Sequence, residues 1–183
     1  MTRKTLILGL GNTLMIDEAV GPIVVRRLES ETDPAAPLLF LDGGTLSFTL
    51  AMPIEECERL IVVDAAALGE APGSVRVFEG EAMDRQVSLP AKSVHEVSLA
   101  DLMDMVRLTG RLPERRALIG IEPAVIDWGD GLTPAVAAAV PVAMARVQEL
   151  LGMWDTQDCE ALPETEQSRA TNQASTTVSD GRN

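Results

Sequence analysis

The chain holds one histidine, His95, so any imidazole chemistry must come from that residue. Three acids stand beyond apolar runs and are its possible partners: Glu18, Asp42 and Asp64. Asp64 follows Leu60-Ile61-Val62-Val63 and precedes Ala65-Ala66-Ala67, so its neighbours in sequence give it little polar cover. Asp42 ends Leu38-Leu39-Phe40-Leu41 and opens the turn Asp42-Gly43-Gly44-Thr45. Glu18 comes after Leu6-Ile7-Leu8-Gly9-Leu10-Gly11-Asn12. Two carboxylates and one imidazole can hold a divalent ion with coordination positions left open. Nickel and zinc both accept such mixed nitrogen and oxygen ligands, so the donor set alone does not choose the metal. Each acid also has a structural use: Glu18 at a helix dipole, Asp64 as a cap, Asp42 as turn chemistry.

Other chemistries fit less well. There is no Gly-x-Ser-x-Gly elbow, and without a second histidine neither a hydrolase triad nor a His-Glu-x-x-His zinc site can be built. Cys57 has no identifiable base beside it, and Cys57 and Cys159 are too far apart in sequence for a Cys-x-x-Cys motif. Reduced thiols in a cytoplasmic protein are the expectation. Gly9-Leu10-Gly11 matches two glycines of a dinucleotide-binding loop, but Leu14 stands at the third and Asp42 comes late for the ribose acid. The chain carries 15 Lys and Arg against 28 Asp and Glu, a net charge of −13. That charge repels phosphate backbones, which argues against nucleic acid, and suits a partner with a basic segment.

The elements that must position these groups alternate between strand and helix. Continuous apolar runs predict buried strands at residues 5–10, 37–41, 59–63 and 116–121, with a shorter, more exposed strand at 74–78. Val20, Ile23, Val24 and Leu28 share one face of a helix over residues 19–28, with Pro22 in its first turn. A short helix at 46–52 is expected to stop at Pro53, and residues 79–92 read as irregular. Ser98 and Asp101 resemble a capping box for a helix over 98–108. Thr133-Pro134 starts a last helix that runs to about residue 151, with a kink at Pro141. No apolar stretch is expected to span a membrane, and no signal peptide is recognised. The predicted fold is a three-layer α/β/α sandwich around a twisted, mostly parallel five-stranded sheet. Residues 1–153 form the domain, and 154–183 an acidic, polar, disordered tail. In such sheets ligands bind beyond the carboxyl ends of the strands, where Glu18, Asp42, Asp64 and His95 could converge.

The run from Gly9 through Asn12, Asp17, Glu18 and Gly21 closely resembles the opening of the nickel–iron hydrogenase maturation endopeptidases, peptidase family M52. The resemblance continues in Asp42-Gly43-Gly44-Thr45, Ile61-Val62-Val63-Asp64-Ala65, Ser93-Val94-His95-Glu96 and Gly120-Ile121-Glu122-Pro123, in the same order and at similar spacing. It implies a metal-dependent endopeptidase that removes a C-terminal extension from the nickel-loaded precursor of the hydrogenase large subunit. It implies Glu18, Asp64 and His95 as metal ligands, with the nickel supplied by the precursor. The Asp42-Gly43-Gly44-Thr45 turn falls at the family's substrate-recognition loop, and Asp42 and Asp64 are the candidate catalytic carboxylates. The expected protein is a cytoplasmic monomer. Ala19 departs from the glycine of many relatives, and the chain after Asp155 falls outside the resemblance. Two rival readings are a nickel sensor or carrier that uses the same site without cleavage, and a nucleotide-binding domain.

Overall fold

The computed structural model describes residues 4–45, 47–89 and 98–161. Five strands form one sheet: β1 (Thr5–Leu10), β2 (Leu38–Gly44), β3 (Arg59–Ala65), β4 (Val75–Glu79) and β5 (Arg115–Ile121). Their order is β2-β1-β3-β5-β4. All neighbours are parallel except β4, which pairs antiparallel with β5 at an edge. The helices are α1 (Val20–Glu31), α2 (Ala51–Glu56), α3 (Glu81–Val87), α4 (Leu99–Leu108) and α5 (Pro134–Ala161).

Side chains alternate across the sheet, and both faces are covered. Leu6, Leu8, Leu60, Val62 and Leu118 share one core with Ile54 of α2, Met83 of α3, and Leu102, Met103 and Val106 of α4. The residues between them, Ile7, Ile61, Val63 and Ile119, are equally buried. They point to the other face, where α1 lies along β1, β2 and β3. The three-layer architecture is therefore as expected. The chain leaves β1 for β2 on one side and later returns to β3 on the other. The strand order reverses between β1 and β3, and the crevice beyond their carboxyl ends is where such sheets bind ligands.

Four local expectations are corrected. Pro53 does not end a helix. A 3-10 turn at Phe48–Leu50 leads into α2, and Pro53 occupies its first turn, where an N–H has no helical partner to lose. Residues 79–92 are not irregular throughout, because α3 forms there with only Met83 buried. One buried residue in seven is too weak a period to read from sequence. The last helix continues ten residues beyond the expected end, through Pro141 and on to Ala161. The apolar-length expectation also changes: Pro134–Glu160 is long and apolar enough to cross a membrane by composition alone. Its buried residues Val136, Ala139, Val140, Ala143 and Val147 recur at helical spacing, as in the core helix of a globular protein. The chain divides into two units, residues 1–147 and 148–183, with the boundary inside α5. The capping box at Ser98 is present as read: Ser98 Oγ accepts from the Asp101 N–H, and the Asp101 carboxylate accepts from the Ser98 N–H.

Asp84 ties α3 to its neighbours. Arg116 of β5 donates to both of its oxygens at 2.8 and 2.7 Å, and Arg107 of α4 donates at 3.2 Å. The Arg116 hydrogen bonds, then the charges of Arg116 and Arg107, hold the Asp84 carboxyl below its usual range. A carboxylate whose folded pKa is depressed stabilises the fold above its ordinary pKa, and that contribution is lost as pH falls through the folded value. Asp84→Asn is expected to cost about 1–2 kcal/mol at pH 7 in urea titrations, and less at a pH below the ordinary carboxylate value. A deficit of equal size at both pH values would show that packing, not charge, is responsible.

Candidate functional site

The loop after β1 brings Glu18 to the switch-point crevice. Gly11 has φ +136°, and a Cβ there would lie 1.7 Å from the Glu18 carbonyl oxygen. Gly21, at the start of α1, has no room either: a Cβ would meet the carbonyl oxygens of Leu10 and Val63 at 2.2 and 2.4 Å. Backbone therefore packs directly on backbone where β1, β3 and α1 meet. Asn12 shapes the intervening turn by accepting from the Leu14 N–H at 3.0 Å. The Gly11 N–H donates to the Gly44 carbonyl at 3.0 Å, which joins this loop to the end of β2.

A cleft of about 380 Å³ opens at this edge, within the size range of small-ligand and peptide-side-chain sites. Glu18, Asp64, Gly44, Thr45 and Glu122 line it, as do Leu89 and Ser98. Glu18 is buried. Burial pushes the Asp64 carboxyl up from 3.8 to about 7, the backbone hydrogen bond at Ala65 opposes the rise, and the Glu18 charge adds to it. Glu18 and Asp64 thus share a site in which two negative charges are unfavourable without a proton or a cation.

The predicted residues do not all converge. Glu18, Asp64, Gly44 and Thr45 are brought together at the cleft, whereas Asp42 and Gly43 are not among its lining residues. Asp42 Oδ2 accepts from Arg26 of α1 at 2.7 Å, and Oδ1 accepts from the Gly44 N–H at 3.0 Å. The Asp42 carboxylate is occupied in holding the turn. His95 lies outside the described residues. Among the described residues, no group of three His, Cys, Asp or Glu side chains is arranged to hold a metal ion.

Two further acids shape the site. Asp17 is fully buried. It accepts from the N–H groups of Ala124, Val125 and Thr133 at 2.8, 2.9 and 2.8 Å, and from the Thr133 hydroxyl at 3.0 Å. It thereby pins the loop between β5 and α5 against the loop after β1. Glu122 accepts from the Leu68 N–H at 2.5 Å and fixes the chain that follows Asp64. The adjacent pair Asp17-Glu18 signals two acids, but only the tertiary structure separates the loop clamp from the cleft residue.

The sequence profile of the hydrogenase maturation proteases (HycI) matches residues 22–150. The hydrogenase expression/formation protein HupD of Rhodobacter capsulatus is 34% identical over 152 residues, which cover 82% of this chain and 72% of that protein. The hydrogenase 2 maturation protease of Escherichia coli K12 is 32% identical over 145 residues, 79% of this chain and 88% of that one. Among solved structures, the hydrogenase maturating endopeptidase HybD from E. coli superposes with a TM-score of 0.77 at 32% identity, covering 82% of this chain and 93% of that one. The [NiFe] hydrogenase maturation protease HybD from Thermococcus kodakarensis gives 0.67 at 31% identity, covering 80% and 98%.

Proposed function

Because this chain belongs to the hydrogenase maturation protease family, we propose that it is the cytoplasmic endopeptidase that trims the C-terminal extension of a nickel-loaded hydrogenase large-subunit precursor. The observation that carries the reading is the carboxylate pair Glu18 and Asp64 in one cleft, with Asp64 poised near pH 7 by burial and by the Glu18 charge. Such a pair favours a cation. We assign Glu18, Asp64 and His95 as the ligands that engage the nickel of the precursor. His95 precedes Ser98 by three residues, a separation the chain spans in at most about 11 Å, and Ser98 lines the cleft.

The nickel belongs to the substrate in this reading. When bound it supplies a Lewis acid beside the scissile bond. The chain's own residues do the rest. Glu18 and Asp64 give the charge that holds the loaded precursor and discriminates against an empty one. Gly44 and Thr45 present the recognition turn, which Asp42 and Arg26 hold in place. Asp42 is assigned to recognition rather than proton transfer, because its carboxylate already accepts from Arg26 and from the Gly44 N–H.

The test is incubation of the protein with nickel-loaded precursor, read by mass spectrometry of the large subunit. A single shortening at the C-terminus is expected with loaded precursor and none with metal-free precursor. His95→Ala is expected to slow processing more than roughly 100-fold, since a direct ligand should cost more than the outer partners of a metal site. Its melting temperature should stay at the wild-type value. Tight binding of loaded precursor without shortening would favour the carrier reading instead.

A further inference from the structure

Beside the cleft, two loops pair into a short antiparallel ribbon. Met15 lies opposite Trp128. The Gly129 N–H donates to the Leu14 carbonyl at 3.1 Å, and the Ile16 N–H to the Asp127 carbonyl at 3.0 Å. This bonding pattern makes Met15 and Trp128 a close, non-hydrogen-bonded pair with side chains on the same face. The ribbon exposes large apolar groups: Trp128 is 72% exposed, Leu14 59% and Ile126 50%. Asp17 anchors its base by three backbone N–H groups and one hydroxyl.

We propose that this ribbon is an exosite for the protein substrate: Trp128 and Ile126 receive an apolar segment of the precursor that carries Lys or Arg at its flanks. The proposal rests on the protease reading above and adds where the body of the substrate is held. Three observations choose this occupant. Ile126 belongs to the ribbon and also lines the cleft, so a chain lying in the cleft continues onto the ribbon. The exposed acids Asp127 and Asp130 border the apolar groups, in a chain of net charge −13, and they complement basic flanks. The Asp17 hydrogen bonds fix the base of the ribbon, which lowers the ordering cost that weakens flexible contacts. Tryptophan is among the side chains enriched at the hot spots of protein interfaces.

Trp128 and Trp154 are the only tryptophans, so Trp154→Phe leaves Trp128 as the sole reporter. Titration of that variant with nickel-loaded precursor is expected to shift Trp128 emission to shorter wavelength as the ring leaves water. In the otherwise wild-type chain, Trp128→Ala is expected to raise KM for precursor cleavage about 10- to 30-fold, with kcat within roughly twofold, because the ring touches no reacting atom. Asp127→Asn with Asp130→Asn is expected to raise KM less and to flatten its dependence on salt. A precursor that is shortened while Trp128 emission and the Trp128→Ala KM stay unchanged overturns the exosite and leaves the protease reading intact. A precursor that shifts the emission but is never shortened supports the surface and sinks the protease reading. Self-association of the free protein that Trp128→Ala abolishes, seen by sedimentation, would assign the face to a second copy and overturn the proposal.

Discussion

Asp64→Asn is expected to abolish processing and, at the same time, to make the protein more stable at pH 8. Both effects follow from one carboxyl. Its folded-state pKa is about 7 against an ordinary 3.8, with burial the main cause and Glu18 a further one. Between about pH 4 and pH 7 the unfolded chain has released this proton while the folded chain still holds it. The folded state binds more protons across that window, so stability falls as pH rises through it and stays low above pH 7. The full penalty is on the order of 4 kcal/mol. Asparagine carries no charge and removes most of it, although its amide must still be hydrated or bonded in the cleft. A net gain of about 1–3 kcal/mol, or roughly 2–12 °C in melting temperature, is expected at pH 8. At pH 4 the two proteins should melt together. Calorimetry of wild type and variant at pH 4, 6 and 8, without added metal, measures this directly. A gap that does not widen with pH would show that Asp64 is ionised throughout. Processing of loaded precursor should fall more than roughly 100-fold, as for loss of a direct ligand. Such opposite changes in stability and activity are expected of a site strained for function.

Gly11→Ala is expected to damage the fold itself. A Cβ at this position would lie 1.7 Å from the Glu18 carbonyl oxygen, which belongs to backbone and cannot rotate away. The residue also has φ +136°, which L side chains rarely adopt. Overpacking and strain together should cost about 3–5 kcal/mol. The loss should appear as a large drop in the denaturation midpoint and as failure to process. Gly44→Ala is the control. Gly44 also has positive φ, +52°, but a Cβ there meets nothing within 4 Å. Its cost should be the conformational term alone, about 1 kcal/mol. Equal losses at the two positions would mean that the close approach of Gly11 to Glu18 is relieved by movement of the loop.

β1 and β3 were legible as buried strands because strands covered on both faces are continuous apolar runs, whereas the equally apolar run of β2 lies at the sheet edge with no residue buried. The capping box at Ser98 was legible because its partners lie three residues apart, inside one helical turn. Helix α3 was not, since Met83 alone marks its buried side. The roles of Asp17, Glu122 and Arg26 were not legible either. Their partners lie 107 to 116, 52 to 54 and 16 residues away, and nothing in the local pattern encodes such separations. Helix α5 runs on to Ala161 with no buried residue among positions 155–160, so no apolar period marks where it ends.

By itself the sequence determined which groups are available for chemistry: one histidine, a few acids at strand ends, and glycines where backbone must meet backbone. Those are properties of residue type and local period, which a chain carries before it folds. Only the tertiary structure decided which acids meet. The order β2-β1-β3 puts the ends of β1 and β3 side by side, so Glu18 and Asp64 share one cleft although 46 residues separate them in the chain. The same packing turned Asp42 toward Arg26 and Asp17 into the loop behind the cleft. Strand order and side-chain direction follow from how the layers pack, a property of long-range contacts, and the carboxylate pair exists only once those contacts are made.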